Sequence, residues 1–174
     1  TVRAGLAKHV IGKRIDLVKQ MHPRALRTDS LNTLRIFKSA KVKAVKRRGK
    51  FMWLEFDRPE VLVAHLGMSG QFKIQSAKVE REPHLRACFT LSNGKELRFV
   101  DQRTFGWLAV DQLANDVPKL VSHIALDPFD PRFDKRATVS RISKSRAQIK
   151  KVILDQSIVS GIGNIYADEA LWRA

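Results

Sequence analysis

The sequence predicts an α+β protein, in which an antiparallel β-sandwich or barrel is followed by a basic helical region. Three observations support this class. Short apolar runs alternate with turn-forming residues from about residue 14 to residue 115. The pair Asn93-Gly94 lies between two such runs, and this is a strong hairpin signal. Beyond residue 130, apolar residues instead recur at helical spacing among many basic ones.

The chain begins with a predicted helix. Val2, Leu6 and Val10 stand at helical spacing, Thr1 is suited to cap the first turn, and Gly12 is suited to end the helix. The amphipathic spacing indicates that one side of this helix packs on the β-rich region.

Strands are predicted next. Arg14–His22 reads as a strand, and Asp29-Ser30 is expected to cap a short helix that carries Leu31, Leu34 and Phe37. The further predicted strands are Lys43–Arg47, Phe51–Phe56, Val61–Leu66, Gln71–Ile74, Leu85–Leu91, Glu96–Val100 and Gly106–Val110.

The pattern changes after about residue 115, so we predict a first domain of residues 1–115 and a second of residues 116–174. Asp127–Pro131 is stiff and turn-prone, as expected near a junction. Ile142–Ile158 has helical spacing and many basic residues. Asp155–Gly163 predicts a compact turn, and Asn164–Trp172 predicts a last helix.

Charge is the strongest signal in the composition. The chain has 33 Lys and Arg against 17 Asp and Glu, a net charge of +16. Such an excess favours a polyanionic partner, because neutralising phosphates releases condensed counterions. An RNA-binding protein and a merely basic surface are the alternatives at this point.

A single cysteine, Cys88, lies in the apolar run Leu85–Leu91. One cysteine allows neither a disulfide within the chain nor a multi-cysteine zinc site. The simplest interpretation is a buried thiol in a strand, in a reduced, cytosolic protein. No apolar run is long enough to span a bilayer and no signal peptide is evident, so we expect no membrane partner.

Four ordered motifs make the interpretation specific. Their positions are Arg47–Lys50, His65–Gly70, Asp101–Trp107 and Ile149–Trp172, the last with the core Gly161–Leu171. Together they closely resemble the formamidopyrimidine-DNA glycosylase family, along the whole chain and in family order. The resemblance implies a β-sandwich, a helical domain with a helix–two-turn–helix, and DNA bound between them. It also implies a bifunctional DNA glycosylase/AP lyase that flips 8-oxoguanine or formamidopyrimidines out of duplex DNA.

The resemblance assigns three residues to the space left by the flipped base. Met68 matches an apolar plug, Arg103 a residue that bonds the widowed base, and Phe105 a wedge between base steps. Ordinary core packing is the alternative for Met68 and Phe105. The family often has Asp-Pro-Arg-Arg-Phe-Gly here, so Gln102 and Thr104 depart from the pattern.

Other matched residues are expected to hold the DNA backbone. Lys50 matches a catalytic lysine that reaches the backbone and assists β-elimination. His65 and Asn164 match residues that hold phosphates beside the flipped nucleotide, and His84 matches a DNA-contacting histidine whose alternative role is a surface turn. The basic residues expected to contact DNA in the helical region are Lys144, Arg146 and Lys150.

The resemblance also implies chemistry outside these motifs. The family's nucleophile is an N-terminal proline with an adjacent glutamate, and Thr1 aligns just after that segment. The family's zinc finger would follow Ala174. We therefore expect the 174 residues to be a DNA-binding portion without nucleophile or zinc, in a cytoplasmic, nucleoid-associated and monomeric protein that binds damaged double-stranded DNA. A non-catalytic protein that binds damaged DNA or abasic sites is the alternative.

Overall fold

The computed structural model describes residues 2–174, which form two compact units. The first unit runs to Arg47 and from Phe51 to Leu120, and the second contains Arg48–Lys50 and Val121–Ala174. The chain thus divides five residues beyond the predicted position of 115. Asp127–Pro131 lies inside the second unit.

The first unit contains two β-sheets. Its strands are β1 (Ile15–Gln20), β2 (Val42–Arg48, whose last residue is counted with the second unit), β3 (Phe51–Phe56), β4 (Glu60–His65), β5 (Gln71–Ser76), β6 (Leu85–Leu91), β7 (Lys95–Val100), β8 (Trp107–Ala114) and β9 (Val117–Pro118). Within residues 2–174, one sheet has the order β1-β6-β7-β5 and the other β2-β3-β4-β8-β9. The ladders β1–β6, β6–β7, β5–β7, β3–β4 and β4–β8 are antiparallel, which confirms the predicted α+β sandwich. The β6–β7 ladder includes the predicted hairpin, with Gly94 at φ +76°.

Both sheets contribute side chains to one apolar core. β4 is buried almost throughout, and the segment Leu26–Leu31 forms backbone hydrogen bonds to the neighbouring strand β8. Phe37 stacks on Phe56 with ring centroids 4.4 Å apart. Fully burying a side chain of this size contributes roughly 1.5–3 kcal/mol. The rigid sandwich therefore supports the loops that leave its strands.

The first helix, α1 (Val2–Val10), agrees with the prediction in part. Leu6 and Val10 are buried, but Val2 is 55% exposed. Gly12 follows the helix at φ +79°, a left-handed conformation that favours glycine. The predicted cap Thr1 lies outside the described residues.

The predicted cap at Asp29-Ser30 is wrong. Asp29 binds the guanidinium of Arg27, and Ser30 accepts a hydrogen bond from the backbone N–H of Val110. The short helix is a 3₁₀ turn, Leu34–Phe37, which begins after Thr33. Long-range bonds to β8 therefore override the local capping pattern.

The second unit contains α2 (Lys135–Ser143), α3 (Ile149–Leu154) and α4 (Asn164–Arg173). The prediction of one helix over Ile142–Ile158 is wrong, because Lys144 and Ser145 close α2 with C-terminal hydrogen bonds and α3 begins only at Ile149. Asp134 caps α2 by accepting from the N–H of Ala137 at 2.9 Å. α4 begins where it was predicted.

Two further features bear on the sequence expectations. None of the helices in residues 2–174 is both long and apolar enough to cross a membrane. Cys88 is buried in β6, as predicted. The pKa of its thiol is raised to about 12, mainly by burial and to a smaller extent by the neighbouring Glu96 carboxylate.

Candidate nucleic-acid interface

Two loops of the first unit, residues 66–70 and 101–106, are fastened together by the buried carboxylate of Asp101. One oxygen accepts from the hydroxyl of Ser69 and from the N–H of Arg103 at 3.3 Å. The other accepts from the N–H of Gly106 at 2.7 Å. Burial would raise the pKa of Asp101, but these donors and Thr104 hold it below its usual value. The loops are therefore joined by an ionised group.

Glycines let the same two loops approach backbone to backbone. A Cβ on Gly67 would lie 2.7 Å from the carbonyl carbon of Phe105, and Gly67 also has φ +60°. A Cβ on Gly106 would lie 2.9 Å from the carbonyl oxygens of His65 and Leu66. Larger residues at these positions would force the loops apart.

At their tips the loops bring together three predicted site residues, Met68, Arg103 and Phe105, here called the exposed trio. Nη1 of Arg103 lies 3.8 Å from the sulfur of Met68, and its guanidinium carbon lies 4.6 Å from the ring centre of Phe105. Met68 is 75% and Phe105 52% exposed, so the core-packing alternative is wrong for both. An exposed cation between two apolar groups can insert into a base stack and also donate hydrogen bonds.

His65 ends β4 at the base of these loops, within an aromatic group. Its Nδ1 accepts from the N–H of Gly67 at 3.2 Å, which leaves the proton of the neutral ring on Nε2. The imidazole stacks on the ring of Trp107, with ring centroids 5.7 Å apart. The guanidinium carbon of Arg27 lies 4.5 Å from the ring centre of the same Trp107. The roles of Trp107 and Arg27 were missed, although Trp107 lies in a motif, because nothing local pairs them with His65.

His84 is half-buried and directly precedes β6. Its carbonyl accepts from the N–H of Asp101 at 3.0 Å, so its backbone is tied to the residue that fastens the trio loops. In the first unit, Asp101 therefore binds both the backbone of His84 and the loops of the exposed trio, and His65 lies at the base of those loops.

In the second unit, Lys50 lies against the turn that precedes α4. Its Nζ donates to the carbonyl of Ile162 at 2.8 Å, and a Cβ on Gly163 would lie 3.2 Å from that nitrogen. Gly49, at φ +53°, leaves no room for a side chain beside Ser160. Lys50 therefore stands next to the N-terminus of α4.

The turn itself is organised by Gln156, a residue that the motif analysis missed. Its Nε2 donates to the carbonyls of Leu154 and Ile162, and its Oε1 accepts from the N–H of Gly161. Asp155 is held ionised, with a lowered pKa, chiefly by hydrogen bonds from Ser157. The predicted compact turn at 155–163 is confirmed.

Asn164 is the first residue of α4 and is exposed. The residue at the N-cap position is Gly163, which has no side chain, so the N–H groups in the first turn of α4 donate no hydrogen bond to an N-cap side chain. Helix N-termini attract anions, and Lys50 adds its charge to this one.

The three basic residues predicted to contact DNA are all exposed, but they differ in setting. Lys144 ends α2, Arg146 lies between α2 and α3, and Lys150 lies in α3. Lys150 forms a 2.5 Å ion pair with Asp168 of α4, a partner that the sequence did not indicate. Within residues 2–174, no group of three or more His, Cys, Asp or Glu side chains could hold a metal ion.

Comparisons with known proteins give one consistent result. The family model described as "Formamidopyrimidine-DNA glycosylase N-terminal domain" matches residues 1–108, and "Formamidopyrimidine-DNA glycosylase H2TH domain" matches residues 124–174. A formamidopyrimidine-DNA glycosylase of Nocardia farcinica is 49% identical over 99% of this chain, and one of Salinispora tropica is 47% identical over 100%. The chain spans 64% and 62% of these relatives, less than two thirds of their length.

Solved structures give the same result. The chain superposes with a TM-score of 0.87 and 28% identity on the Lactococcus lactis Fpg in complex with abasic-site DNA, covering 99% of this chain and 64% of that one. A complex of the same Lactococcus protein with FAPY-dG-containing DNA gives a TM-score of 0.86 and 27% identity, covering 98% and 64%.

Proposed function

Because the chain belongs to the formamidopyrimidine-DNA glycosylase family, we propose that it holds damaged duplex DNA for the repair of oxidised purines such as 8-oxoguanine and formamidopyrimidines. The observation that carries this proposal is the exposed trio, which the buried Asp101 holds at the tips of two loops. The activity we propose for the whole protein is that of a bifunctional DNA glycosylase/AP lyase, acting in the cytoplasm, at the nucleoid and as a monomer, and the 174 residues contribute its DNA binding.

The exposed trio suits a duplex from which one base has been flipped out. The reacting sugar carbon is inaccessible while the base is stacked, and the space left by the base must be filled or the base returns. Met68 and Phe105 supply the apolar filling. Arg103 stands between them with N–H groups that suit the widowed base.

Each unit offers cationic or hydrogen-bonding side chains that suit phosphates of a DNA backbone. In the first unit these are His65 and His84. In the second they are Lys50, Asn164, Lys144, Arg146 and Lys150. Lys50 is the residue we propose to assist β-elimination, since the carbonyl of Ile162 holds its amine beside the helix N-terminus. Lys150 binds phosphate only in competition with Asp168, so we expect it to contribute less than the others.

The first experiment measures the affinity of the chain for a duplex that carries an abasic-site analogue and for the intact duplex. Arg103→Ala should lower the ratio of the two affinities, because Arg103 reads the space left by the base. Lys150→Ala should weaken both affinities alike, since a phosphate contact only positions the DNA. Arg14→Ala, which removes one exposed charge paired with Asp16 at the start of β1, is the matched control. Equal ratios in all three variants would contradict the proposal.

Salt dependence tests the phosphate contacts separately. Each phosphate neutralised makes log K fall with log salt concentration by a slope of about 0.9. We expect binding at low salt and steep loss of binding as salt rises. Retention that is unchanged between low and high salt would refute the phosphate contacts.

Borohydride trapping on an 8-oxoguanine duplex tests whether the 174 residues themselves contain a working nucleophile or, as in the alternative of a non-catalytic protein that binds damaged DNA or abasic sites, only bind the DNA. None of the 174 residues matches the family's proline nucleophile, and this observation favours DNA binding without the covalent step for these residues. We therefore expect no covalent adduct with this chain and a clear adduct with a full-length relative as control. An adduct with this chain would show that it contains a working nucleophile.

A further inference from the structure

Arg98, in β7, is a fully buried arginine that the binding surface described above does not use. Its exposed fraction is 0%, and each of its five N–H donors has an acceptor. The acceptors are Glu96 Oε2 at 2.8 Å, the Glu80 carbonyl at 2.9 Å, Glu82 Oε2 at 3.1 Å, the Val79 carbonyl at 2.7 Å and the Ser76 carbonyl at 3.5 Å. Four of these five acceptors lie at residues 76–82, in the connection between β5 and β6.

This connection, residues 76–84 and here called the 76–84 loop, has little apolar packing to hold it. Most of its side chains are exposed, including Val79 at 47%. The other contacts of the loop include local turn bonds, such as the N–H of Val79 to the carbonyl of Ser76, a 3.4 Å bond from the N–H of Ala77 to the carbonyl of Gly94, and long ion pairs of Lys73 with Glu82 (3.7 Å) and Arg81 with Glu96 (3.8 Å). The guanidinium of Arg98 is therefore the centre around which the loop backbone is arranged.

The charges around Arg98 keep this arrangement ionised. Burial lowers the pKa of the guanidinium, but the hydrogen bonds from it to Glu96 and Glu82 raise it above its usual value overall. Burial raises the pKa of Glu82, but its backbone hydrogen bond, Arg98 and Lys73 lower it overall. Arg81 lies 3.8 Å from Glu96. Arginine is suited to this place because a lysine would offer three donors to five acceptors.

The loop ends at His84, next to Asp101, whose carboxylate holds the two loops of the exposed trio together. The carbonyl of His84 accepts from the N–H of Asp101, and Nε of Arg86 donates to the carbonyl of Asp101 at 2.8 Å. The backbone conformation at His84 is therefore set from one side by Asp101 and from the other by the loop that Arg98 holds.

We propose that Arg98 is a positioning residue for DNA binding: by holding the 76–84 loop, it places His84 beside the exposed trio, where His84 contacts the DNA backbone. This inference rests on the proposed function, in which His84 is a DNA contact. It assigns Arg98 a role in affinity beyond the stability of the sheet.

A double-mutant cycle tests this role. Arg98→Lys keeps the charge and removes two donors, and His84→Ala removes the proposed contact. Each variant should bind duplex DNA about fivefold more weakly, which corresponds to ~1 kcal/mol. In the His84→Ala background, Arg98→Lys should change the affinity less than about twofold, because both act through the same contact. Additive losses would mean that Arg98 does not act through His84, and would overturn the inference.

Phe89→Leu is the matched control, since Phe89 is fully buried in the same sheet and is not a partner in the hydrogen bonds of Arg98. Its effect on affinity should be the same with and without His84. Hydrogen exchange without DNA adds a second readout: Arg98→Lys should speed exchange of the amides at residues 77–82 and leave the β6–β7 ladder protected. Unchanged exchange in the loop would also overturn the inference.

Glu82→Gln is a second variant for the same test, to be used if Arg98→Lys does not fold. It weakens only the loop side of the network, because Glu96 still neutralises Arg98 at 2.8 Å. The same non-additivity with His84→Ala is expected, and additivity would again overturn the inference. If the unaltered chain binds no duplex DNA, the proposed function itself fails. Additive variants of a chain that does bind DNA refute the role of Arg98 alone.

Discussion

Replacing Asp101 by asparagine should loosen the exposed trio without unfolding the sandwich. Asp101 accepts from Ser69 and Arg103 through one oxygen and from Gly106 through the other. Asparagine has one acceptor oxygen and one donor group, so in either orientation its amide nitrogen faces a donor.

The magnitude follows from these bonds. One buried N–H loses its acceptor, at a cost of about 1–3 kcal/mol, and the remaining bonds lose the assistance of the charge. The neutral side chain avoids burying a charge, which offsets part of this cost. We expect a loss of about 2–3 kcal/mol in the free energy of unfolding, which is small enough for a domain of ordinary stability to stay folded.

Urea unfolding and DNA binding measure the two consequences. Fluorescence of Trp53 and Trp107 reports the unfolding of the first unit, which contains both. The ratio of affinities for abasic-analogue and intact duplexes should fall about tenfold, or ~1.4 kcal/mol, because the loops no longer present the trio in one arrangement. The pKa of Asp101 is lowered in the folded state, so its stabilisation is present above about pH 4 and is lost as pH falls through the folded pKa.

Asp111→Ala is the matched control. Asp111 is also buried in the first unit and accepts from one backbone N–H, that of Leu120, at 2.7 Å. Alanine at this position leaves one buried N–H without its acceptor, as Asp101→Asn does, so the replacement should cost a similar free energy of unfolding and leave the affinity ratio unchanged. An affinity ratio at the unaltered value in Asp101→Asn, despite a comparable loss of stability, would refute the reasoning about the trio loops.

Three further predictions concern glycine geometry and ionisation. Gly67→Ala should lower both the free energy of unfolding and the affinity ratio. Gly94 has a similar positive φ but open space around it, so Gly94→Ala should cost only the backbone strain of about 1–2 kcal/mol. Equal effects of the two variants in urea unfolding would refute the close-approach argument. Cys88 should not react with a disulfide reagent at pH 8 in the folded chain, given its burial and its pKa of about 12, and should react in urea; rapid reaction of the folded chain would contradict its place in the core. The pKa of Asp130 is lowered to about 2 by Arg132, so its carboxylate should titrate near that pH in carbon NMR. The stabilisation it contributes should be present above about pH 4 and lost as pH falls through about 2. Arg132→Gln should raise the pKa of Asp130 towards the ordinary ~3.9, and an unchanged midpoint would show that Arg132 is not the cause.

The predicted strands agree closely with the structure because their signals are local. Phe51–Phe56 and Leu85–Leu91 were predicted with their observed limits, since apolar runs between turn residues specify extended backbone directly. The start of α4 at Asn164 also agrees, because Gly161 and Gly163 interrupt any earlier helix.

The errors arose where specific hydrogen bonds, some of them from residues distant in the sequence, override a pattern that residue types alone suggest. Asp29 and Ser30 resemble helix caps, but Arg27 and the backbone of Val110 bind them instead. Ile142–Ile158 has helical periodicity throughout, yet α2 closes at Lys144 and α3 starts afresh. Periodicity reports which face is apolar and does not report where a helix is interrupted.

The sequence by itself determined the fold class, the strong positive charge and, through ordered motifs, the family. Only the tertiary structure decided which of these residues act together. Asp101 lies 32 positions from Ser69, and Arg98 lies 16 from Glu82, so no local pattern could reveal that each pair shares a hydrogen bond. The ion pair of Lys150 with Asp168 was hidden for the same reason. Hydrogen bonds and ion pairs depend on distances of a few ångströms in space, which the folded sandwich and helices set and the order of residues along the chain does not.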